Sequence, residues 1–136
     1  MKHNYNFLFP AVILMVFGCT TVPLPAKENM FKNKVFAHLY FDTEEECMAA
    51  QSDPDFFINC HRQLDFISNN EVHVMLTDII YQGTYEVSGK HLIVYIINSP
   101  EVPGGEIIFE IINPVKLIKV DDKTLWKKVS GNSIWN

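Results

Sequence analysis

From residue 60 onward, the chain alternates between apolar and polar residues with a period of two. The alternating runs cover residues 60–67, 72–77, 79–87, 106–112, 114–120 and 124–129, and the run at 91–97 is apolar on both faces. Turn-forming residues separate the runs, as in Ser68-Asn69-Asn70 and Asp121-Asp122-Lys123. Because successive side chains of a strand point to opposite faces, each run predicts a strand with at least one apolar face. Residues 34–41 suit a further strand, and short strands at this spacing predict a mainly β fold, a single small antiparallel β-barrel or sandwich.

One short helix is expected between the first two strands. Thr43 and Glu46 have the spacing of a capping box, in which each side chain bonds a free backbone N–H at the helix start. The helix dipole also favours negative charge in the first turn, where residues 44–46 are all glutamate. This explains the three carboxylates better than acid–base catalysis or calcium binding. The helix should end before Ser52-Asp53-Pro54.

The first part of the chain follows a different pattern. Lys2 precedes an almost unbroken apolar run, residues 7–17, which ends at Gly18 and Cys19. A charged start, an apolar stretch and a small residue at the cut site are typical of an export signal. A membrane-spanning helix needs about 20 apolar residues, and Pro10 lies inside this shorter run. We therefore predict that residues 1–18 are a signal peptide outside the fold.

The sequence Val16-Phe17-Gly18-Cys19 resembles the lipobox of bacterial lipoproteins. The resemblance implies that Cys19 is linked to a diacylglycerol, becomes the new N-terminus and is then acylated on its amine. Several acyl chains give durable membrane anchoring, at about 0.8 kcal/mol per buried methylene. In enteric lipoproteins, outer-membrane members lack an aspartate directly after the lipidated cysteine. Here Thr20 follows Cys19, so similarity to those proteins favours the outer membrane. The alternative is an ordinary secreted protein whose signal ends near a cysteine.

Residues 19–33 are predicted to form a tether between this anchor and the β domain. Pro23 and Pro25 lie among small and polar residues, a composition that favours an extended, semi-rigid spacer. The β domain is then expected at residues 34–130, followed by a tail at 131–136. Ile134 and Trp135 give the tail an apolar end that either docks on the domain or meets a partner.

With Cys19 assigned to lipid, two of the three cysteines remain. Cys47 and Cys60 would form a disulfide in an oxidising compartment, closing a loop worth on the order of 3 kcal/mol. A metal site is the competing interpretation, because His61 adjoins Cys60. Neighbouring strand residues point to opposite faces, however, and no CxxC spacing is present. The disulfide is therefore preferred, and no metal site is predicted.

A family resemblance also extends to the strands. Gly83-Thr84-Tyr85-Glu86-Val87, a glycine-containing turn and the apolar run after it are similar to the meander of lipocalin-like small bacterial domains. Thr124-Leu125-Trp126-Lys127 fits the closing strand of such a meander. Five aromatic residues could line a ligand cavity if the sheet closes loosely, or could equally be the core, since small barrels usually fill with side chains. These residues are Tyr81, Tyr85, Tyr95, Phe109 and Trp126.

The composition narrows the function. The formal net charge of −5 argues against nucleic acid as a partner. No Gly-x-Ser-x-Gly elbow, phosphate-binding glycine loop or EF-hand pattern occurs, so we predict no catalytic residues and no cofactor. The expected function is a non-enzymatic binding module for another envelope component, such as a protein. The alternative is a carrier or sensor of a small apolar ligand, which would need an interior cavity instead of a filled barrel.

Overall fold

The computed structural model describes residues 30–51 and 57–135, which form a closed barrel of eight antiparallel strands. The strands are β1 Lys34–Leu39, β2 His61–Phe66, β3 Glu71–Met75, β4 Ile80–Ser88, β5 His91–Ile96, β6 Glu106–Asn113, β7 Lys116–Lys119 and β8 Leu125–Lys128. Each strand pairs with the next one in the chain, and β8 pairs with β1 to close the barrel. The predicted mainly β fold is confirmed, as a barrel and not a sandwich. The predicted signal peptide and Cys19 lie outside the described residues.

Alternation along the strands separates an interior from an outer surface. On β2, Leu64 and Phe66 are fully buried, whereas Gln63 and Asp65, which alternate with them, face outward. The cross-strand register keeps this phase, because Leu64 pairs with Phe36 of β1 on one side and with Val74 of β3 on the other. One inward-facing set of side chains therefore runs around the barrel.

Aromatic rings fill a large part of the interior. Phe31, Phe36 and Phe66 are fully buried, with ring centroids 5.1 to 5.9 Å apart. Phe31 precedes β1 and lies within the range predicted as tether, yet it belongs to the core. Backbone hydrogen bonds hold the segment before β1 in place, since Lys34 N donates to Phe31 O and Asn33 N donates to Phe66 O. The folded part of the chain therefore begins before residue 34.

The two ends of the barrel differ in their connections. Phe31 lies towards the end where β1 begins, which we call the plugged end. The β1–β2, β3–β4, β5–β6 and β7–β8 connections all lie at the opposite end, which we call the mouth. The longest of them, residues 40–60, carries the only helix of the described residues, α1 (Glu44–Ala50).

The start of α1 has the predicted capping interactions. Glu46 N donates to Thr43 Oγ1 at 3.1 Å, and Asp42 N donates to Glu46 Oε2 at 3.0 Å. The glutamate thus reaches the residue before the cap and not the cap itself. Cys47 is buried and lies at disulfide distance from Cys60, with 5.8 Å between their Cα atoms. Because Cys60 directly precedes β2, this pair fastens the helix to the sheet.

The tail folds back onto the outside of the barrel. Ile134 and Trp135 are half-buried and line a groove with Ala37 and Leu125, next to the seam between β1 and β8. Ala37 points outward, opposite in phase to the buried Phe36, but is only 4% exposed. Of the two predicted alternatives for the tail, docking on the domain is the one observed. Within the described residues, no helix has the length and hydropathy needed to cross a membrane.

Candidate functional site

The aromatic residues predicted to line a cavity mostly fill the barrel. Phe109 and Trp126 are fully buried, with ring centroids 5.3 Å apart. Tyr85 is 4% exposed, packs edge-on against Phe66 and donates its hydroxyl to Ser68 O at 2.8 Å. These three members of the predicted set are therefore in contact with other core side chains, and their polar atoms have protein partners. They act as packing in the interior.

The remaining two tyrosines differ from that group. Tyr81 faces inward and is half-buried, and its hydroxyl is buried without a hydrogen-bond partner among the described residues. Tyr95 was predicted to share the interior, and this is wrong. On β5 the inward positions are Leu92, Val94 and Ile96, so that the two-residue period places Tyr95 on the outer surface.

An apolar strip crosses the outer surface of β5, β6 and the residue after β7. Ile93 pairs directly with Ile108, and Val120 N donates to Ile108 O at 2.8 Å, so the three side chains are neighbours. Ile108 and Val120 are both 37% exposed. Tyr95 of β5 and Ile97, which directly follows β5, continue the strip towards the mouth. We call these five residues the outer apolar face.

Carboxylates border the outer apolar face. Glu106 and Glu110 flank Ile108 on β6, and Glu86 of β4 pairs with Ile93. None of the ion pairs among the described residues involves these three glutamates. Tyr95 Oη donates to Glu86 Oε1 at 2.7 Å. That hydrogen bond, together with partial burial and the charges of Glu86 and Glu106, raises the pKa of Tyr95. The face is therefore apolar at its centre and negative at its border.

A second polar cluster lies at the mouth. Lys119 points inward from β7, and its Nζ lies 2.8 Å from Asp121 Oδ2 and 3.2 Å from Asp122 Oδ2. Burial by itself raises the pKa of Asp122. Hydrogen bonds from the Thr124 hydroxyl and backbone N–H, together with the Lys119 ammonium, outweigh it and hold the pKa at about 2. Asp122 Oδ2 also lies 3.5 Å from Arg62 Nη1.

The described residues contain no group of three or more His, Cys, Asp or Glu side chains placed to hold a metal ion. Comparisons with known protein families, with curated proteins and with solved structures find no match for this chain. What can be said of the site therefore comes from its own residues.

Sequence reasoning did not identify the outer apolar face, although a signal for it was present. Residues 91–97 and 106–112 carry isoleucines in both phases of the alternation, at inward and outward positions alike. Such a strand is expected to be covered on both faces. The structure instead leaves Ile108 partly open to solvent, and Ile97 is 82% exposed. Apolar residues in the outward phase were thus the pattern that pointed to an apolar outer surface.

Proposed function

We propose that this protein is a lipid-anchored component of the bacterial envelope, and that its barrel is a non-enzymatic binding module for another envelope protein. The partner docks on the outer apolar face. The observation that carries the proposal is the combination of a filled interior with an apolar outer strip, whose bordering carboxylates form no ion pairs among the described residues. Apolar surface of this kind, rimmed by polar groups, is typical of protein interaction sites.

The filled interior separates this proposal from the apolar-ligand carrier. An eight-stranded barrel is just wide enough either to fill with side chains or to hold one small ligand. Here Phe36, Phe109, Trp126 and their neighbours are fully buried against one another. A carrier would need these rings to move apart, whereas a binding module needs them as they are.

The border charges indicate what kind of protein would fit. Glu86, Glu106 and Glu110 surround the Ile93–Ile108 pair and have no ion-pair partners among the described residues. A complementary partner would present an apolar centre with lysine or arginine around it. Charge complementarity of this kind raises association rates and selects partners more than it raises affinity. Complex formation should therefore weaken with salt.

The lipid anchor is the second part of the proposal. Its support is the lipobox at Val16-Phe17-Gly18-Cys19 and the proline-containing segment before the first described residue, Met30. Such an arrangement would hold the barrel at a membrane surface, and we place it at the outer membrane, facing the periplasm. A fixed location raises the effective concentration of a module for partners in the same membrane.

Photo-crosslinking in intact cells tests the docking surface. The full chain would carry a benzophenone amino acid at Ile108, with a matched variant at Gln63, which faces outward on β2 across the barrel. We expect one discrete adduct from position 108 and none from position 63. Adding Glu86→Lys and Glu110→Lys to the Ile108 probe should abolish the adduct, because both changes reverse the border charge.

Two outcomes would contradict docking on the outer apolar face. An adduct that survives both charge reversals would contradict docking on this face, provided that the variant still melts cooperatively. Absence of any adduct, combined with a small apolar molecule bound to the purified full chain in native mass spectrometry, would instead support the carrier.

A further inference from the structure

A cavity of about 280 Å³ opens at the mouth of the barrel. Its walls come from the inward-facing ends of strands and from the loop between β5 and β6. Val102 and Ile107 are both buried and give it an apolar side, whereas Arg62, Glu101 and Lys119 give it a charged side. The mouths of β-barrels are common places for small-ligand sites, and this volume lies just below their usual range of about 300–1,000 Å³. Only a small molecule would fit.

The β5–β6 loop holds the charged side of the cavity in place. Its residue Ser99 is buried, and Glu101 N donates to Ser99 Oγ at 3.2 Å. Gly105 N donates to Val102 O at 2.9 Å, and Gly105 O in turn accepts from Ile96 N at 2.8 Å. The position of Glu101 is therefore fixed by the backbone of a folded loop.

Two residues that line this cavity each have a buried polar atom without any hydrogen-bond partner among the described residues. One is a donor, Arg62 Nε, and the other is an acceptor, Glu101 Oε2. The second carboxylate oxygen of Glu101 already accepts from the hydroxyl of Thr77. Leaving a buried donor or acceptor unpaired costs stability. A molecule that offers an acceptor to Arg62 Nε and a donor to Glu101 Oε2 would remove the cost of both unpaired atoms.

The charges around the cavity indicate which donor is favoured. Arg62 and Lys119 already face carboxylates, with Asp122 Oδ2 and Asp121 Oδ2 at 3.5 Å and 2.8 Å. Glu101 forms no ion pair among the described residues. The unbalanced charge at the site is therefore negative, and a protonated amine suits it better than a neutral donor.

We propose that the mouth of the barrel binds a small primary amine with a neighbouring carbonyl oxygen, as found in the first residue of a peptide and in a free amino acid. The ammonium group donates to Glu101 Oε2, and the oxygen accepts from Arg62 Nε. The apolar side formed by Val102 and Ile107 receives a short side chain. This site does not depend on the outer apolar face, although Glu106 lies beside both.

Nuclear magnetic resonance titration of the full chain tests the site with four probes. Alaninamide has the ammonium and a neutral carbonyl, alanine has the ammonium and a carboxylate, ethylamine has only the ammonium, and propionamide has only the carbonyl. We expect alaninamide to shift the Nε–H of Arg62 and the backbone amides of Thr77, Glu101, Val102, Gly104 and Gly105. Ethylamine and propionamide should each bind at least about tenfold more weakly, since each lacks one hydrogen-bonding partner.

Variants assign the two halves of the ligand. Glu101→Gln keeps the shape and removes the charge, so the affinity for alaninamide should fall about tenfold or more. Glu71→Gln makes the same charge change on an exposed side chain at the plugged end and should leave the affinity unchanged. Arg62→Lys keeps the positive charge but has no Nε–H, and should reduce alaninamide to the affinity of ethylamine. The amide spectrum of each variant shows whether it is folded.

The probes also separate the two sources of this chemistry. Tighter binding of alaninamide than of alanine would indicate the amino terminus of a peptide, and the reverse would indicate a free amino acid. No shifts at the mouth with any probe would overturn the proposal, and so would equal binding to folded Glu101→Gln. Equal affinities for alaninamide and ethylamine would overturn the role of Arg62. None of these outcomes depends on whether a protein docks on the outer apolar face.

Discussion

At the scale of single residues, Gly83 lies at a position of the barrel where there is no room for a side chain. A Cβ atom at this position would lie 2.4 Å from the backbone oxygen of Tyr95 on the neighbouring strand. A backbone atom within a ladder cannot move aside as a flexible side chain can. Gly83→Ala should therefore lower the free energy of unfolding by about 1–3 kcal/mol, the usual cost of overpacking. Chemical denaturation followed by circular dichroism measures it.

Gly104 supplies the control for this prediction. A Cβ atom there meets nothing within 4 Å, so Gly104→Ala should leave the free energy of unfolding nearly unchanged. Equal stability of the two variants would mean that β4 and β5 are further apart at Gly83 than the structure shows.

Asp122 gives a prediction for pH. Its pKa is held at about 2, below the ordinary 3.8, so its carboxylate stabilises the fold above pH 3.8 and this contribution is lost as the pH falls towards about 2. Asp122→Asn should destabilise the protein at neutral pH, and the difference from the wild type should shrink over that interval. The side chain is 35% exposed, so screening by solvent keeps the effect below about 1 kcal/mol. Urea unfolding at several pH values measures it.

The exposed Asp78 provides the comparison for this titration, because it takes part in none of the ion pairs among the described residues. Asp78→Asn should match the wild type in stability at neutral pH. A constant difference between the wild type and Asp122→Asn from neutral pH down to pH 2 would contradict a role for the Asp122 charge.

At the scale of elements, α1 depends on its link to the sheet. The helix has seven residues, of which only Cys47 is buried, so little packing holds it apart from the Cys47–Cys60 pair. Short helices are marginal in water without tertiary contacts. Cys47→Ser should therefore lower the free energy of unfolding by on the order of 3 kcal/mol in oxidising buffer, in the chain-entropy model for a loop of this length. Thermal unfolding measures the loss.

Reduction provides the matched test of the same bond. Wild-type protein with a reductant should melt close to Cys47→Ser, and the reductant should not change Cys47→Ser itself. Identical melting of the oxidised and reduced wild type, with mass spectrometry confirming that the thiols had formed, would show that the bridge does not stabilise the barrel.

At the scale of the whole molecule, the sequence predicts local structure and the inward or outward phase of strand residues well. It predicts less well which distant residues each side chain contacts. Leu64 and Phe66 lie inside because alternation places them there, and the Thr43–Glu46 spacing gave the start of α1. Phe31 could not be placed in the core by pattern, because it precedes the first strand and fills the barrel only once the strands have closed. Its burial is a tertiary property.

The candidate site was harder to predict for the same reason. Tyr95 was grouped with the interior aromatics by residue type, although its phase within β5 directs it outward. The cavity at the mouth brings together Arg62, Glu101 and Lys119, which come from three distant parts of the chain. Periodicity within one strand does not show which residues from distant strands lie close together. That proximity depends on the order of the strands and on the path of the β5–β6 loop.

The proposed membrane anchor is separate from the barrel along the chain. The buried core runs from Phe31 to Trp126 within the described residues, so the proposed anchor at Cys19 should determine location and not folding. Cys19→Ala should abolish metabolic labelling with an acyl-chain analogue and leave residues 1–18 uncleaved, whereas Cys47→Ser should still be labelled. Thermal unfolding of Cys19→Ala should match that of the wild type. Labelling that persists in Cys19→Ala would exclude the lipoprotein, whereas lost labelling with an unchanged melting temperature would show that anchor and barrel act independently.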